Sequence, residues 1–222
     1  MLEYIDIYCE RLAPGLWGEP LNLISNLAFF IAAFLAFLLA RRKGAETDRS
    51  VLILIVLLCA IGAGSSAFHS FANRLTALMD VLAIAIYILV YLWFYCARIL
   101  KWKGWVAALV SGSYLICSLA MGPVQEALSD TLVGQIMGGT LSYVPALFYT
   151  IGFGLYHRSR QFVFAHGLLL ASAVFILSMT LRSLDLHVCG DLPIGTHYFW
   201  HIFNGIVLYL TLRTYILNVH SR

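Results

Sequence analysis

Charge is the scarcest property of this 222-residue chain. Only 11% of its residues are Asp, Glu, Lys or Arg, whereas a soluble globular domain carries about 25%. With 61% hydrophobic residues and a mean hydropathy of +0.86, this composition excludes a soluble protein and predicts a polytopic membrane protein. The chain also lacks internal repeats, extended linkers and an apolar run in its first twenty residues, so no cleavable signal peptide is expected.

Seven segments have the length of about 20 residues that a membrane-spanning helix needs. The sequence therefore predicts an all-α membrane protein, in which residues 1–222 form a single seven-helix transmembrane domain and 1–21 form its N-terminal segment. Ser111, Gly112 and Ser113 make the fourth segment the weakest. The predicted spans are 22–40, 51–71, 77–99, 105–121, 132–155, 163–183 and 197–216.

The basic residues indicate how these spans are oriented. Only Arg11, Arg74 and Arg182 fall on one side, together with most of the acids. Because cytoplasmic loops are rich in Lys and Arg, we expect a non-cytoplasmic N-terminus and a cytoplasmic C-terminus. The net charge of +3 then reflects topology and indicates no nucleic-acid partner. The basic residues of the cytoplasmic side are Arg41, Arg42, Lys43, Arg49, Arg98, Lys101, Lys103, Arg158, Arg160, Arg213 and Arg222.

Four ionisable residues interrupt the predicted spans: His69, Asp80, His197 and His201. Inserting one such side chain at the centre of a membrane-spanning helix costs ~2.5–3.5 kcal/mol on insertion scales, so these residues are rare and usually functional. The predicted topology places all four at one depth, near the non-cytoplasmic face. We therefore expect them to share a site.

The spacing of these residues favours a metal centre. His197 and His201 project from one helical face, and with His69 they would supply three imidazoles and one open position, as in catalytic zinc sites. Zinc would lower the pKa of a bound water toward ~7. Asp80 could take that water's proton, and Ser65, one turn from His69, could hydrogen-bond the water or an oxyanion.

A single buried histidine is more often a packed, hydrogen-bonded residue than a ligand. The helical pair together with His69 and Asp80 favours the metal interpretation here. No functional role is predicted for His157, His166, His187 or His220.

The same residues resemble a known family, the alkaline ceramidases. These belong to a superfamily of seven-helix membrane hydrolases that includes the adiponectin and progestin receptors. The resemblance covers nearly the whole chain. It rests on Gly64-Ser65-Ser66-Ala67-Phe68-His69, Asp80, His197-Tyr198-Phe199-Trp200-His201, and the N-terminal Tyr8-Cys9-Glu10, Glu19, Asn22 and Ser25-Asn26.

The resemblance implies a function for each part of the site. His69, His197 and His201 would bind zinc, with Ser65 and Asp80 as catalytic partners around the bound water. The reaction would hydrolyse the amide of ceramide or a related N-acyl lipid to a fatty acid and a long-chain amine. The bilayer and its lipids are the expected partners, and no obligate protein partner is indicated. Compact loops suggest a prokaryotic member, placed in the inner membrane with its active site toward the non-cytoplasmic face.

A calcium site on the N-terminal segment is also implied, but the pattern matches only in part. Glu10 and Glu19 correspond to the family's acids, and Asp6 could substitute with a one-residue shift. Arg11 and Leu12, however, stand where the family has acidic or amide side chains. Since calcium prefers six to eight oxygen ligands, both a weakened site and a solvated acidic surface remain open.

The cysteines and one basic residue give further expectations. Cys9 and Cys189 both lie on the non-cytoplasmic side, and the resemblance supports a disulfide between them; the alternative is two free thiols. Arg182 is expected to reach the interface or to pair with Asp185, three residues on. Cys59, Cys96 and Cys117 are expected to fill apolar space.

Two other functions compete with the hydrolase. A lipid receptor or sensor could share the architecture and the zinc, but that branch tends to carry a long cytoplasmic N-terminal domain, and only 1–21 precede the first span here. A transporter could use the histidines and Asp80 as a proton relay. The clustering of these charges at one end of the bundle argues against a path through it.

Overall fold

The computed structural model describes residues 3–220, and most of them are helical. The helices are α1 (Pro20–Arg42), α2 (Arg49–Phe71), α3 (Arg74–Ile99), α4 (Gly104–Ala127), α5 (Leu132–Ser159), α6 (Gly167–Val188) and α7 (His197–Asn218). Helix α1 bends at Asn26, α3 ends in a wider π-helical turn at Tyr95–Ile99, and α5 contains a 3₁₀ stretch at Gly138–Tyr143.

The all-α class is confirmed, and six helices, α1 to α6, are long and apolar enough to cross a membrane. Helix α7 is equally long, but His197, His201, Asn204 and Arg213 lower its hydropathy. The observed bounds differ from the predicted spans mainly at two places. Helix α4 continues to Ala127, past Pro123, and α6 begins at Gly167.

The helices are arranged as a ring in chain order. Each packs against its neighbours in sequence, and α7 packs against both α6 and α1, which closes the ring. On α1, four buried alanines allow this close approach of helix backbones: Ala32, Ala33, Ala36 and Ala40. The outer surface instead exposes large apolar side chains such as Val56, Ile116 and Leu119, each at least 65% exposed. A surface of this kind is suited to contact with lipid.

The turn between α2 and α3 sets the position of the functional end of the bundle. Asn73 caps α3 in a reciprocal hydrogen-bonded arrangement with Thr76, and Ala72 ends α2 in the left-handed conformation. The Ala72 carbonyl accepts a hydrogen bond from the Ile5 N–H at 2.8 Å. The N-terminal segment is therefore attached directly over this turn.

Helices α2 and α3 approach each other closely at Gly64. A Cβ placed there would lie 3.0 Å from the Met79 carbonyl oxygen and 3.2 Å from the Asp80 Cα. Because both neighbours are backbone atoms, they cannot move aside as a flexible side chain can. Glycine at this position therefore brings Ser65 and Asp80 onto adjoining helix surfaces.

We expect Gly64→Ala to destabilise the protein by about 1–3 kcal/mol through overpacking of α2 against α3. Thermal unfolding in detergent measures the effect. Gly112→Ala is the matched control, because a Cβ there would meet nothing within 4 Å. Equal unfolding midpoints for the two variants would contradict this account of the helix contact.

Candidate metal centre

Three buried histidines from two helices meet at the end of the bundle to which the N-terminal segment is attached. His69 lies in the last turn of α2, and His197 and His201 lie in the first two turns of α7. Each side chain is no more than 2% exposed, and their ring centroids lie 4.7–5.3 Å apart. One nitrogen from each ring falls within 4.8 Å of the others, a spacing on the scale of one metal ion.

Glu19 orients the first of these rings. Its carboxylate contacts His69 Nδ1 and also accepts a hydrogen bond from Asn22 Nδ2 at 2.9 Å. Burial by itself raises the pKa of Glu19, but the hydrogen bonds from His69 and Asn22 and the charge of Arg11 outweigh it, so the pKa is lowered. The ionised carboxylate accepts a hydrogen bond from Nδ1–H, which leaves the Nε2 lone pair of His69 free for a metal.

Ser25 orients the second ring in the same way. Its hydroxyl donates its only proton to the Asn22 carbonyl at 2.9 Å, and its oxygen lies 2.7 Å from His201 Nδ1. With the hydroxyl proton already committed, His201 Nδ1 must be the donor of the second bond. The Nε2 lone pair of His201 is therefore also free.

The third ring has a nitrogen that no described residue satisfies. His197 Nδ1 is buried and has no hydrogen-bond partner between residues 3 and 220. The Tyr8 ring stacks on this imidazole with centroids 3.6 Å apart, which restricts its rotation. The unpartnered Nδ1 of His197, together with the free Nε2 lone pairs of His69 and His201, fits the binding of a metal ion. Three neutral imidazoles are the donor set that zinc accepts.

Ser65 and Asp80 stand beside the histidines. The Ser65 hydroxyl is a hydrogen-bonding neighbour of the Asp80 carboxylate, and the charge of Asp80 acts on His69. Asp80 Oδ1 is buried and lacks a hydrogen-bond partner among the described residues. All five residues predicted for the site are thus brought to one place, with one acceptor oxygen available to a substrate or a water.

The acids predicted to bind calcium are engaged elsewhere. Glu10 accepts hydrogen bonds from the backbone N–H groups of Leu21, at 2.6 Å, and Asn22, at 2.8 Å, and so caps α1. Burial raises the pKa of Glu10 in spite of these bonds. Glu19 is bound to the Arg11 guanidinium, and Asp6 is exposed. Within residues 3–220 the three acids do not form a group with metal-ligand spacing, and calcium binding by this segment stays a prediction.

The predicted disulfide is confirmed. Cys9 is bonded to Cys189 and ties the N-terminal segment to the end of α6. Beside it, buried Asp185 accepts backbone N–H bonds from Cys9 at 3.1 Å, Thr196 at 2.6 Å and His197 at 2.9 Å. A carboxylate at the N-terminus of α7 stabilises that end of the helix and sets the position of its first metal-binding residue.

The predicted Arg182–Asp185 pair does not form among the described residues. Asp185 is committed to three backbone donors, and the guanidinium of Arg182 turns toward α5 and α7 instead. Its Nη1 donates to Thr140 Oγ1 at 2.9 Å. The rings of Tyr143 and Trp200 lie 5.3 and 5.2 Å from its central carbon. Helical spacing alone did not indicate these partners, because they come from other helices.

The comparisons with known proteins agree with this geometry. The family model described as Ceramidase matches residues 8–221, which is nearly the whole chain. The chain belongs to the ceramidase family. No curated individual protein matches it significantly. Because the matched region includes the N-terminal segment, the triad and α7, the family assignment covers every element of the candidate metal centre.

Some residues of this ceramidase-family site were not assigned from the sequence. Glu19 and Ser25 were noted in the family's N-terminal pattern, yet their contacts with His69 and His201 became evident only from the structure. Asp185 was expected to pair with Arg182. His157, for which no role was predicted, is fully buried and hydrogen-bonded to the Tyr95 hydroxyl at 2.7 Å, away from the triad.

We expect Glu19→Gln to weaken metal binding by about 10- to 100-fold, because the partner that orients His69 and raises its basicity is lost. Competition with a chromophoric chelator, using the purified protein and zinc, measures the affinity. Glu3→Gln is the control, since Glu3 pairs with Arg74 at an exposed position. An unchanged zinc affinity in Glu19→Gln would show that this carboxylate does not support the ligand.

We expect Gly195→Ala to destabilise the N-terminus of α7 by about 1–3 kcal/mol. Gly195 has a φ of +61°, and a Cβ there would lie 2.1 Å from Asp185 Oδ1 and 2.8 Å from the Cys9 Cβ. The unfolding midpoint in detergent tests this. Gly190→Ala, which would meet nothing within 4 Å, should leave the midpoint unchanged. A similar midpoint for both variants would contradict the expectation.

Proposed function

We propose that this protein is a zinc-dependent integral-membrane hydrolase that cleaves the amide bond of ceramide or a related N-acyl lipid. The products are a fatty acid and a long-chain amine. The observation that carries the proposal is the buried triad of His69, His197 and His201, in which two rings are oriented by hydrogen bonds and the third has an unpartnered nitrogen. Membership of the ceramidase family supports the same reaction class.

In this proposal α7 is a seventh membrane span. Its 22 residues extend over about 33 Å at the helical rise of ~1.5 Å per residue, enough to cross the hydrocarbon region. Its polar side chains His197 and His201 are buried within the ring rather than exposed to lipid. An odd number of spans puts the two termini on opposite sides of the membrane, and the basic residues indicate that the C-terminus is the cytoplasmic one.

The residues around the triad would divide the chemistry between them. Zinc, when bound, would supply a Lewis acid that polarises the amide carbonyl and activates water at neutral pH. Asp80 would take a proton from the attacking water and return it to the leaving nitrogen. The Ser65 hydroxyl, a neighbour of the Asp80 carboxylate, would donate a hydrogen bond to the carbonyl oxygen as negative charge develops there.

A cavity lined by apolar side chains supports a lipid substrate. Phe29 and Trp200 line it, and Phe29 lies 6.1 Å from the His201 ring, so the cavity begins beside the triad. It continues along α3, α5, α6 and α7, where its lining is mostly aromatic and aliphatic. Its apolar walls suit hydrocarbon chains.

We expect the purified protein to contain about one zinc and to release fatty acid from N-acyl lipids. His201→Ala should lose both zinc and activity. Asp80→Asn should keep zinc but lose about 10²–10⁴-fold in kcat, because proton transfer is impaired. Metal analysis and mass spectrometry of the released fatty acid measure these outcomes.

His166→Ala is the control for these variants, since His166 is exposed and distant in sequence from the site. Full activity in His201→Ala would refute the zinc hydrolase. A protein that binds zinc and lipid but turns over no N-acyl lipid would favour the receptor or sensor interpretation.

A further inference from the structure

Residues 12–17, which we call the apolar loop, form an exposed turn just before α1. All six residues are exposed, and none of them has a charged side chain. The exposed fractions of Leu12, Leu16 and Trp17 are 87%, 51% and 68%. Large apolar side chains that stand together on a surface mark a contact with a membrane, a ligand or another protein.

The charged residues on either side of the apolar loop are buried instead. Arg11 is 4% exposed and Glu19 is 1% exposed, and their side chains are bonded to each other. Arg11 also donates to the His69 carbonyl at 2.9 Å, and its guanidinium lies over the Tyr4 ring. A loop surrounded by water would place its charges outside and its leucines inside. This loop has the opposite arrangement, which matches an apolar environment.

Local contacts hold the apolar loop in a compact turn. The Gly18 N–H donates to the Gly15 carbonyl at 3.0 Å, and Gly15 has a φ of +121°. A Cβ at Gly18 would lie 2.3 Å from the Ala13 carbonyl oxygen and 3.1 Å from Arg11 Nη1. The two glycines let the chain fold back on itself here. The ends of the loop therefore meet at the pair formed by Arg11 and Glu19, while its apolar side chains stay outside.

The exposed apolar surface continues from the loop along α1. Its next members share one side of that helix, because they are spaced by three or four residues. They are 38% to 60% exposed: Leu21, Ile24, Leu27, Ile31 and Phe34. This side of α1 belongs to the outer surface of the bundle, which is suited to contact with lipid. The apolar loop extends that surface at the end of the bundle that holds the metal centre.

We propose that the apolar loop is inserted into the membrane, in the leaflet on the side of the metal centre. Its partner is the lipid at the boundary between headgroups and acyl chains, where Trp17 can bury its ring and keep its indole N–H near water. The loop offers no exposed charge to a headgroup, so it binds acyl chains rather than one lipid class. The inference depends on the membrane embedding of the bundle and not on the proposed reaction.

Membrane insertion would place the metal centre beside an anchored segment. Arg11 directly precedes the loop and is bonded to Glu19, whose carboxylate contacts His69. The same guanidinium donates to the His69 carbonyl. The loop is therefore joined to a metal ligand through one buried side chain.

The fluorescence of Trp17 tests the depth of the loop. The purified protein is reconstituted into phosphatidylcholine vesicles with or without bromine atoms near the start of the acyl chains, and iodide is added on both sides. Subtracting the spectrum of Trp17→Phe isolates the Trp17 emission from that of the other tryptophans. We expect the bromines to quench this emission and iodide to leave it nearly unchanged, because the ring lies among acyl chains.

Two variants should move Trp17 toward water. Leu12→Asp and Leu16→Asp each place a charge on the loop, so quenching by bromine should fall and quenching by iodide should rise. Ser129→Asp is the matched control, since Ser129 is exposed in the turn between α4 and α5 at the same end of the bundle, and it should change neither. Unfolding midpoints in detergent show whether each variant is folded, and the unmodified protein decides the question if one is not.

Strong quenching of Trp17 by iodide in the unmodified protein would overturn the inference and assign the loop to water. Protection from both bromine and iodide would overturn it as well, because the loop would then be covered by protein, such as a second copy of the chain. These measurements need neither zinc nor a substrate. Failure of the proposed hydrolase would therefore leave the test of the loop intact.

Discussion

The contact between the Glu19 carboxylate and the His69 imidazole joins three separate parts of the chain. Glu19 directly precedes α1, His69 ends α2, and Arg11, bound to the same carboxylate, also donates to the His69 carbonyl at 2.9 Å. A carboxylate this deeply buried is stable only when its lone pairs are satisfied. The N-terminal segment therefore cannot fold completely unless His69 is in position, and His69 is not oriented for a metal until that segment has folded.

Arg11 also helps to stabilise the acids of the N-terminal segment. Glu10 and Glu19 are both buried, and buried carboxylates need a positive charge or hydrogen-bond donors beside them. The Arg11 guanidinium supplies the charge beside Glu19, and Glu10 accepts hydrogen bonds from backbone N–H groups at the start of α1. From the other side, Cys9 and Asp185 attach the segment to α6 and α7. The histidines are thus enclosed by protein groups throughout.

Much of this arrangement could be predicted from the sequence because two regularities determine it. Alternating spans put His69, Asp80 and His197 at one depth, and the helical repeat puts His201 on the same face as His197. The contacts of Glu19 could not be derived in this way, since it lies 50 residues from His69 and no local pattern joins them. The ion pair between Arg182 and Asp185, which their local spacing predicted, was wrong. Backbone N–H groups at the start of α7 compete for that carboxylate, and only the tertiary fold brings them there.

The cavities of the structure differ in polarity. One is lined largely by aromatic and aliphatic side chains, and a second is lined by Tyr8, Thr140 and Arg182 among others. In the proposed reaction an amphiphile would have its lowest free energy with its hydrocarbon in the first cavity and its polar end in the second. Chain length would alter how much of the apolar cavity is filled, whereas the polar end would be selected by hydrogen bonds. Selectivity should therefore be sharper for the polar end than for the acyl chain.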